Sequence, residues 1–164
     1  MMSAVASFAN TSSVMSSKKY DVFLNFRGED TRMNFTSHLH EALKQKNVET
    51  YIDYRLEKGD GISPALIKAI EDSRVSIVIL SENYASPKWC LEELSKILEC
   101  HKNHGQIVIP VFYNIDPSHV RKQAGCYEQT FATHQEELRY NKWRAALTEL
   151  ANLAGWDSRN RQIK

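Results

Sequence analysis

The chain has 164 residues, with 21 Lys and Arg against 20 Asp and Glu and a formal charge of +1. That length suits one domain with a sizeable core, and the even charge balance argues against a nucleic-acid surface or a strongly acidic partner. Cys90, Cys100 and Cys126 show no CxxC spacing, which fits a reducing intracellular setting better than a disulfide framework. No apolar run approaches the eighteen or so residues of a membrane helix.

Residues 1–17, MMSAVASFANTSSVMSS, are uncharged, Ser/Ala-rich and without a continuous apolar segment of signal-peptide length, so a disordered leader is expected. The absence of arginine there weighs against an organelle transit peptide. Tyr20–Phe26 reads as a first strand, followed by the loop Arg27–Arg32. Phe35, Leu39, Ala42 and Leu43 recur at helical spacing between Met33 and Lys46, and Asp30 or Thr31 can cap that helix. Val48–Ile52 is a second strand, and Asp53–Ser63 a long charged connection of the kind that is usually functional or mobile. Ser63-Pro64 supplies a cap followed by a proline at the first helical position, and Leu66, Ile67 and Ile70 give the next helix its stripe.

Val75–Leu80, VSIVIL, is a continuous β-branched run, as expected of a central strand buried on both faces. Ser86-Pro87 repeats the cap-and-proline signal, so a helix opens at Pro87. Ile107–Tyr113 is a fourth strand whose Pro110 suggests a place towards an edge. Asn114–Gly125 reads as a turn-rich connection, and amphipathic segments near Tyr127–Leu138 and Lys142–Leu153 close the pattern. A fifth short strand after Asp116 is left open. Strand and helix alternate four times, which predicts an α/β fold with a parallel sheet covered by helices on both faces. Residues 157–164 read as a polar tail or linker.

On the helix after Pro87, steps of about 100° put Cys90, Leu91, Leu94, Ile97 and Leu98 on one arc and Glu92 and Lys96 opposite. Glu93 falls at the edge of the apolar arc, one turn after Trp89, whose ring can partly shield it. Parallel sheets bind ligands beyond the carboxyl ends of their strands, where the first turns of this helix lie. The plainer alternative is a solvated Glu93 beside a packing Trp89. Cys100-His101 and His104 lack a fourth ligand, so no metal site is expected.

Four stretches, YDVFLNFRGEDTR, GISPALIKAIEDS, SENYASPKWCLEEL and IPVFYNIDPSHVRKQAG, together resemble the Toll/interleukin-1 receptor (TIR) domain of plant intracellular nucleotide-binding leucine-rich-repeat immune receptors. The likeness spans residues 18–156. The resemblance implies a flavodoxin-like fold with about five parallel strands, and hydrolysis of NAD at the nicotinamide–ribose bond in plant immune and cell-death signalling. Glu93 of the WCLxEL motif would be catalytic. Phe26, Arg27 and Gly28 would line the nucleotide site, with Trp89 beside the reacting ribose. NAD would be the substrate, with no cofactor, in the cytoplasm and with the nucleus also open. The family's mobile loop corresponds to Asp53–Ser63. Ser37-His38 and the terminal helix near Trp156 would form surfaces through which copies associate, two domains completing one site.

Cleaving a bond whose leaving group is already cationic needs no acid to protonate it, so one carboxylate can suffice. Glu93 would hold ribose hydroxyls and stabilise the oxocarbenium-like charge. Arg27 could hold a phosphate, or pair only with Glu29 or Asp30 on its own loop. The sequence departs from the usual plant pattern at Asn25, Tyr54, Gly61 and Glu128, and Gly61 should loosen the long loop. The alternative function is a non-catalytic TIR–TIR interaction module. A phosphoacceptor receiver domain would need an aspartate where Ser81-Glu82 stands, and a P-loop nucleotidase a GxxxxGK run that is missing.

Overall fold

The computed structural model describes residues 18–53 and 62–160. Its centre is a parallel sheet of five strands, β1 (Tyr20–Asn25), β2 (Thr50–Tyr51), β3 (Ser73–Leu80), β4 (Ile107–Phe112) and β5 (Trp156–Asp157), in the order β2-β1-β3-β4-β5. The order reverses direction after β2, so the chain returns across β1 and then builds outward through β3 to β5. That leaves the carboxyl ends of β1 and β3 side by side, in register at Asn25 and Val78, the place where such sheets form a ligand crevice.

The connecting segments are α1 (Gly28–Thr31), a π-helical stretch Arg32–Thr36, α2 (Ser37–Gln45), α3 (Pro64–Glu71), α4 (Lys88–His104), α5 (Pro117–Lys122), α6 (Cys126–Ala132) and α7 (Tyr140–Ala151). Side chains alternate across the sheet with the strand period of two. Phe23, Val78, Leu80, Val108 and Phe112 face a large core with Leu66 and Ile70 of α3, Leu91, Leu94 and Ile97 of α4, and Trp143 and Leu147 of α7. Val22, Leu24, Ile79 and Val111 face the other way, against Phe35, Leu39 and Leu43.

Local chemistry explains several boundaries. Ser63 caps α3 as expected, its Oγ accepting from the Leu66 amide at 3.2 Å with Pro64 in the first turn. Asp116-Pro117 does the same for α5, the carboxylate accepting from the Ser118 amide at 2.9 Å. That helix lies inside the segment expected to be a turn-rich connection. At α4 the helix opens one residue later than expected, with Pro87 itself as the extended cap residue and no side-chain cap. Gly105 closes α4 in the left-handed conformation at φ 68°.

The expectation that Pro110 marks an edge is overturned. β4 lies between β3 and β5, and Pro110 stands opposite Val78. Proline is accommodated because β5 is only two residues long and pairs further along, at Val111 and Phe112. The chain approaches Pro110 at Gly155, where an added Cβ would lie 2.1 Å from the Pro110 carbonyl oxygen. Gly155→Ala is therefore expected to displace the start of β5 and lower stability by about 1–3 kcal/mol, the usual range for overpacking, read as a lowered denaturation midpoint. The fifth strand also carries the sheet past Trp156, since Asp157 pairs with Phe112 and the Ser158 amide donates to the Phe112 carbonyl at 3.0 Å.

Candidate active site

Asn25 ends β1 on the core side of the sheet, a polar residue after an apolar run, and it is fully buried. Its side-chain amide Nδ2 donates to Glu93 Oε1 at 2.9 Å. Glu93, on the second turn of α4, is 2% exposed. The sequence placed this carboxylate at the margin of the apolar arc and half shielded; the folded chain buries it. The helix alone does not set this burial: β1 brings Asn25 against the carboxylate.

A third buried residue completes the group. Tyr84, in the loop after β3, donates its hydroxyl to Asn25 Oδ1 and lies 3.2 Å from the Cys90 carbonyl. Burial, then the neighbouring Cys90, Glu93 and Tyr127, push its phenol far above the ordinary value, so it is a neutral donor throughout the physiological range. Tyr127 is shifted the same way, first by burial and then by Cys126, Cys90 and Asp30. Its hydroxyl donates to the Ser81 carbonyl at 2.7 Å and fixes the loop that carries Tyr84.

The other expected site residues lie along the same edge. Phe26 is buried next to Asn25, and its carbonyl is 4.0 Å from Cys90 Sγ. Trp89 is half-buried one turn before Glu93 and packs against the large core. Gly28 opens α1. Arg27 makes the local pairing that was its plainer alternative, to Asp30 at 2.8 Å and Glu29 at 2.9 Å. Asp30 in turn accepts from Ser81 Oγ at 2.5 Å and the Asn83 amide at 2.9 Å, tying the loop after β1 to the loop after β3. Around that tie lies a cavity of about 320 Å3 lined by Glu29, Asp30, Ser81, Glu82, Asn83, Tyr113 and Asn114. Glu93 does not line it.

Ser37 and His38 stand at the start of α2, away from this group, with His38 exposed and Ser37 Oγ donating to the Asn34 carbonyl at 3.1 Å. Trp156 itself belongs to β5, 51% exposed, with its ring stacked on Phe35 at 6.0 Å. The last described helix is α7, which ends at Ala151. Tyr54 and Gly61, and most of the long loop Asp53–Ser63, lie outside the described residues. Among the described residues no group of three or more His, Cys, Asp or Glu could hold a metal ion, and no helix is long and apolar enough to cross a membrane.

Reasoning from the sequence missed Tyr84 and noticed Asn25 only as a departure from a pattern. The available signal was a buried-type position filled by an amide, since a polar group at the inner end of an apolar strand requires a partner.

A family model described as the TIR domain matches residues 19–164. The disease resistance protein RPV1 of Vitis rotundifolia is 52% identical over 153 residues, covering 92% of this chain and 11% of its own length. The TMV resistance protein N of Nicotiana glutinosa is 50% identical over 151 residues, covering 88% and 13% respectively. The chain thus spans roughly a tenth of the length of these relatives. The TIR domains of the activated Roq1 resistosome, which directly recognises the pathogen effector XopQ, superpose with a TM-score of 0.82 at 49% identity, covering 88% of this chain and 90% of theirs. With its sheet order, its four motifs and this degree of likeness, the chain belongs to the TIR domain family.

Proposed function

We propose that this domain cleaves NAD at the bond between nicotinamide and ribose, in immune signalling of the kind its relatives' names describe, within the cytoplasm. The observation that carries this reading is the single carboxylate of Glu93, held beyond the carboxyl end of β1 by a neutral amide. The C1′–N bond breaks with its electron pair leaving on neutral nicotinamide. Glu93 stabilises the resulting ribosyl cation, water or an internal nucleophile bonds to C1′, and the proton of that nucleophile passes to solvent. Arg27, now spent on Glu29 and Asp30, reaches a phosphate only by exchanging those partners.

Burial adds a condition. A carboxylate 2% exposed in the single chain meets NAD only after the elements over it shift, and association of copies supplies the free energy for such a shift through contacts made in one state alone. Activity per molecule should therefore rise with concentration. Nicotinamide release measured across a dilution series, beside sedimentation of the same samples, is expected to climb steeply where oligomers appear; activity per molecule that is constant across the series contradicts this condition.

The second reading, a TIR–TIR interaction module without useful catalysis, is favoured by the same burial and by the internally paired Arg27. It predicts association with no nicotinamide released.

A further inference from the structure

We infer that Asn25, pinned by Tyr84, is the positioning residue that sets the orientation and the ionisation of the Glu93 carboxylate. This rests on the proposed use of Glu93 but concerns residues to which no role has been given. The orientation of the amide is fixed by the carboxylate and matched by the phenol. An ionised carboxylate only accepts, so Nδ2 must face Glu93; that leaves Oδ1 towards Tyr84, whose hydroxyl donates to it. Neither amide atom can exchange places without setting two acceptors against each other on the Glu93 side. The chain of donors runs one way, from phenol to amide to carboxylate, with all three side chains at most 2% exposed.

The consequence for Glu93 is twofold. With Oε1 held at 2.9 Å, the plane of the carboxylate and the direction of Oε2 are set by a strand rather than by a rotatable loop. A donor to the charged form also offsets part of the desolvation that burial imposes. Among the described residues, the titratable groups that face this cluster are the Tyr84 phenol from the loop after β3, the Cys90 thiol on α4 itself and the Tyr127 phenol on α6. β1 presents Asn25 and adds no charge. Tyr84 stays neutral, so its effect reaches Glu93 through the amide.

Asn25→Leu keeps the bulk and removes the donor, and Tyr84→Phe leaves the amide in place but removes the hydroxyl that holds its Oδ1. Titration of the Glu93 side-chain carboxyl carbon by 13C NMR reads the effect without turnover. Loss of a hydrogen bond to a buried charge should raise the midpoint by about one pH unit or more in Asn25→Leu, and by less in Tyr84→Phe. The acidic limb of nicotinamide release should move upward by the same interval, with kcat falling about tenfold at a pH below both midpoints, KM within about twofold, and most of the rate restored above them. A merely structural residue would lower release equally at every pH and leave the midpoint in place. If Asn25→Leu does not fold, Tyr84→Phe decides the matter alone. A Glu93 midpoint that does not move in the folded variants overturns the inference. If the midpoint moves while the native domain releases no nicotinamide, the positioning role stands and the NAD reading falls.

Discussion

Glu93→Gln is expected to reduce nicotinamide release by about a hundredfold or more while leaving the melting temperature unchanged or higher. Glutamine keeps the shape and still accepts from Asn25 Nδ2, so the local hydrogen bond survives. What is lost is the negative charge that, on the proposed chemistry, would meet the ribosyl cation, and removal of one preorganised electrostatic contact of this kind typically lowers kcat by about 10²–10³. The stability side has the opposite sign. Burying a carboxylate at 2% exposure is unfavourable unless fully compensated, and a neutral isostere relieves that. On the proposed chemistry, a carboxylate maintained against its own desolvation trades stability for activity. Glu92, the adjacent acid, should behave differently. It pairs with Arg139 at 2.5 Å on the outside of α4, and its removal touches a partly exposed ion pair of the class that contributes about 0–1 kcal/mol. Circular dichroism melts and an NAD assay on the two variants separate these effects.

Trp143→Ala should be severely damaging to the core, lowering stability by about 3–5 kcal/mol, a large share of the 5–15 kcal/mol typical of a domain. The indole is 2% exposed and stands edge-on to His134 at 5.5 Å. His134 in turn touches the Ala85 carbonyl through Nε2 at 2.9 Å. Because the acceptor is a carbonyl, Nε2 carries the proton, and the ring ties α6 and α7 to the loop that also holds Tyr84. Loss of Trp143 would therefore reach the site through His134 and Ala85 as well as through the cavity it leaves. Its Nε1 is buried with no acceptor among the described residues, so Trp143→Phe discards an unsatisfied donor and should cost about 1.5 kcal/mol or less. Urea denaturation midpoints for the pair measure the difference. Equal losses would show that the ring volume is not what matters.

Much of the fold was legible because its signals are local. The β-branched run of β3 announces a central strand, and Ser63-Pro64 announces α3. The same cap-and-proline signal at Asp116-Pro117 was passed over inside a polar stretch, although it carries the same physics. β5 could not be read, because two residues have no period; Gly155 lets the chain run close beside Pro110 just before it. Pro110 itself misled, since the rule against proline in a central strand assumes that the neighbouring strand is long enough to need the missing donor.

The site was legible in position but not in depth. A helical projection can show that Glu93 borders the apolar arc, and cannot show that Asn25, 68 residues earlier, will close over it. Burial of a helix edge is decided by what the sheet brings to it, which is a long-range property. For the same reason Tyr84 passed as a loop aromatic: its value lies in a donor aimed at Asn25 Oδ1 from 59 residues away. Arg27 shows the converse, a residue whose local pairing to Glu29 and Asp30 could be read from three neighbouring letters.

The most direct test is to incubate the associated domain with NAD and quantify free nicotinamide, with Glu93→Ala and Glu92→Ala alongside. Release by the native domain and Glu92→Ala, with loss in a folded Glu93→Ala, is the predicted outcome. Undiminished release by Glu93→Ala, or no release from the native domain at any degree of association, would contradict it.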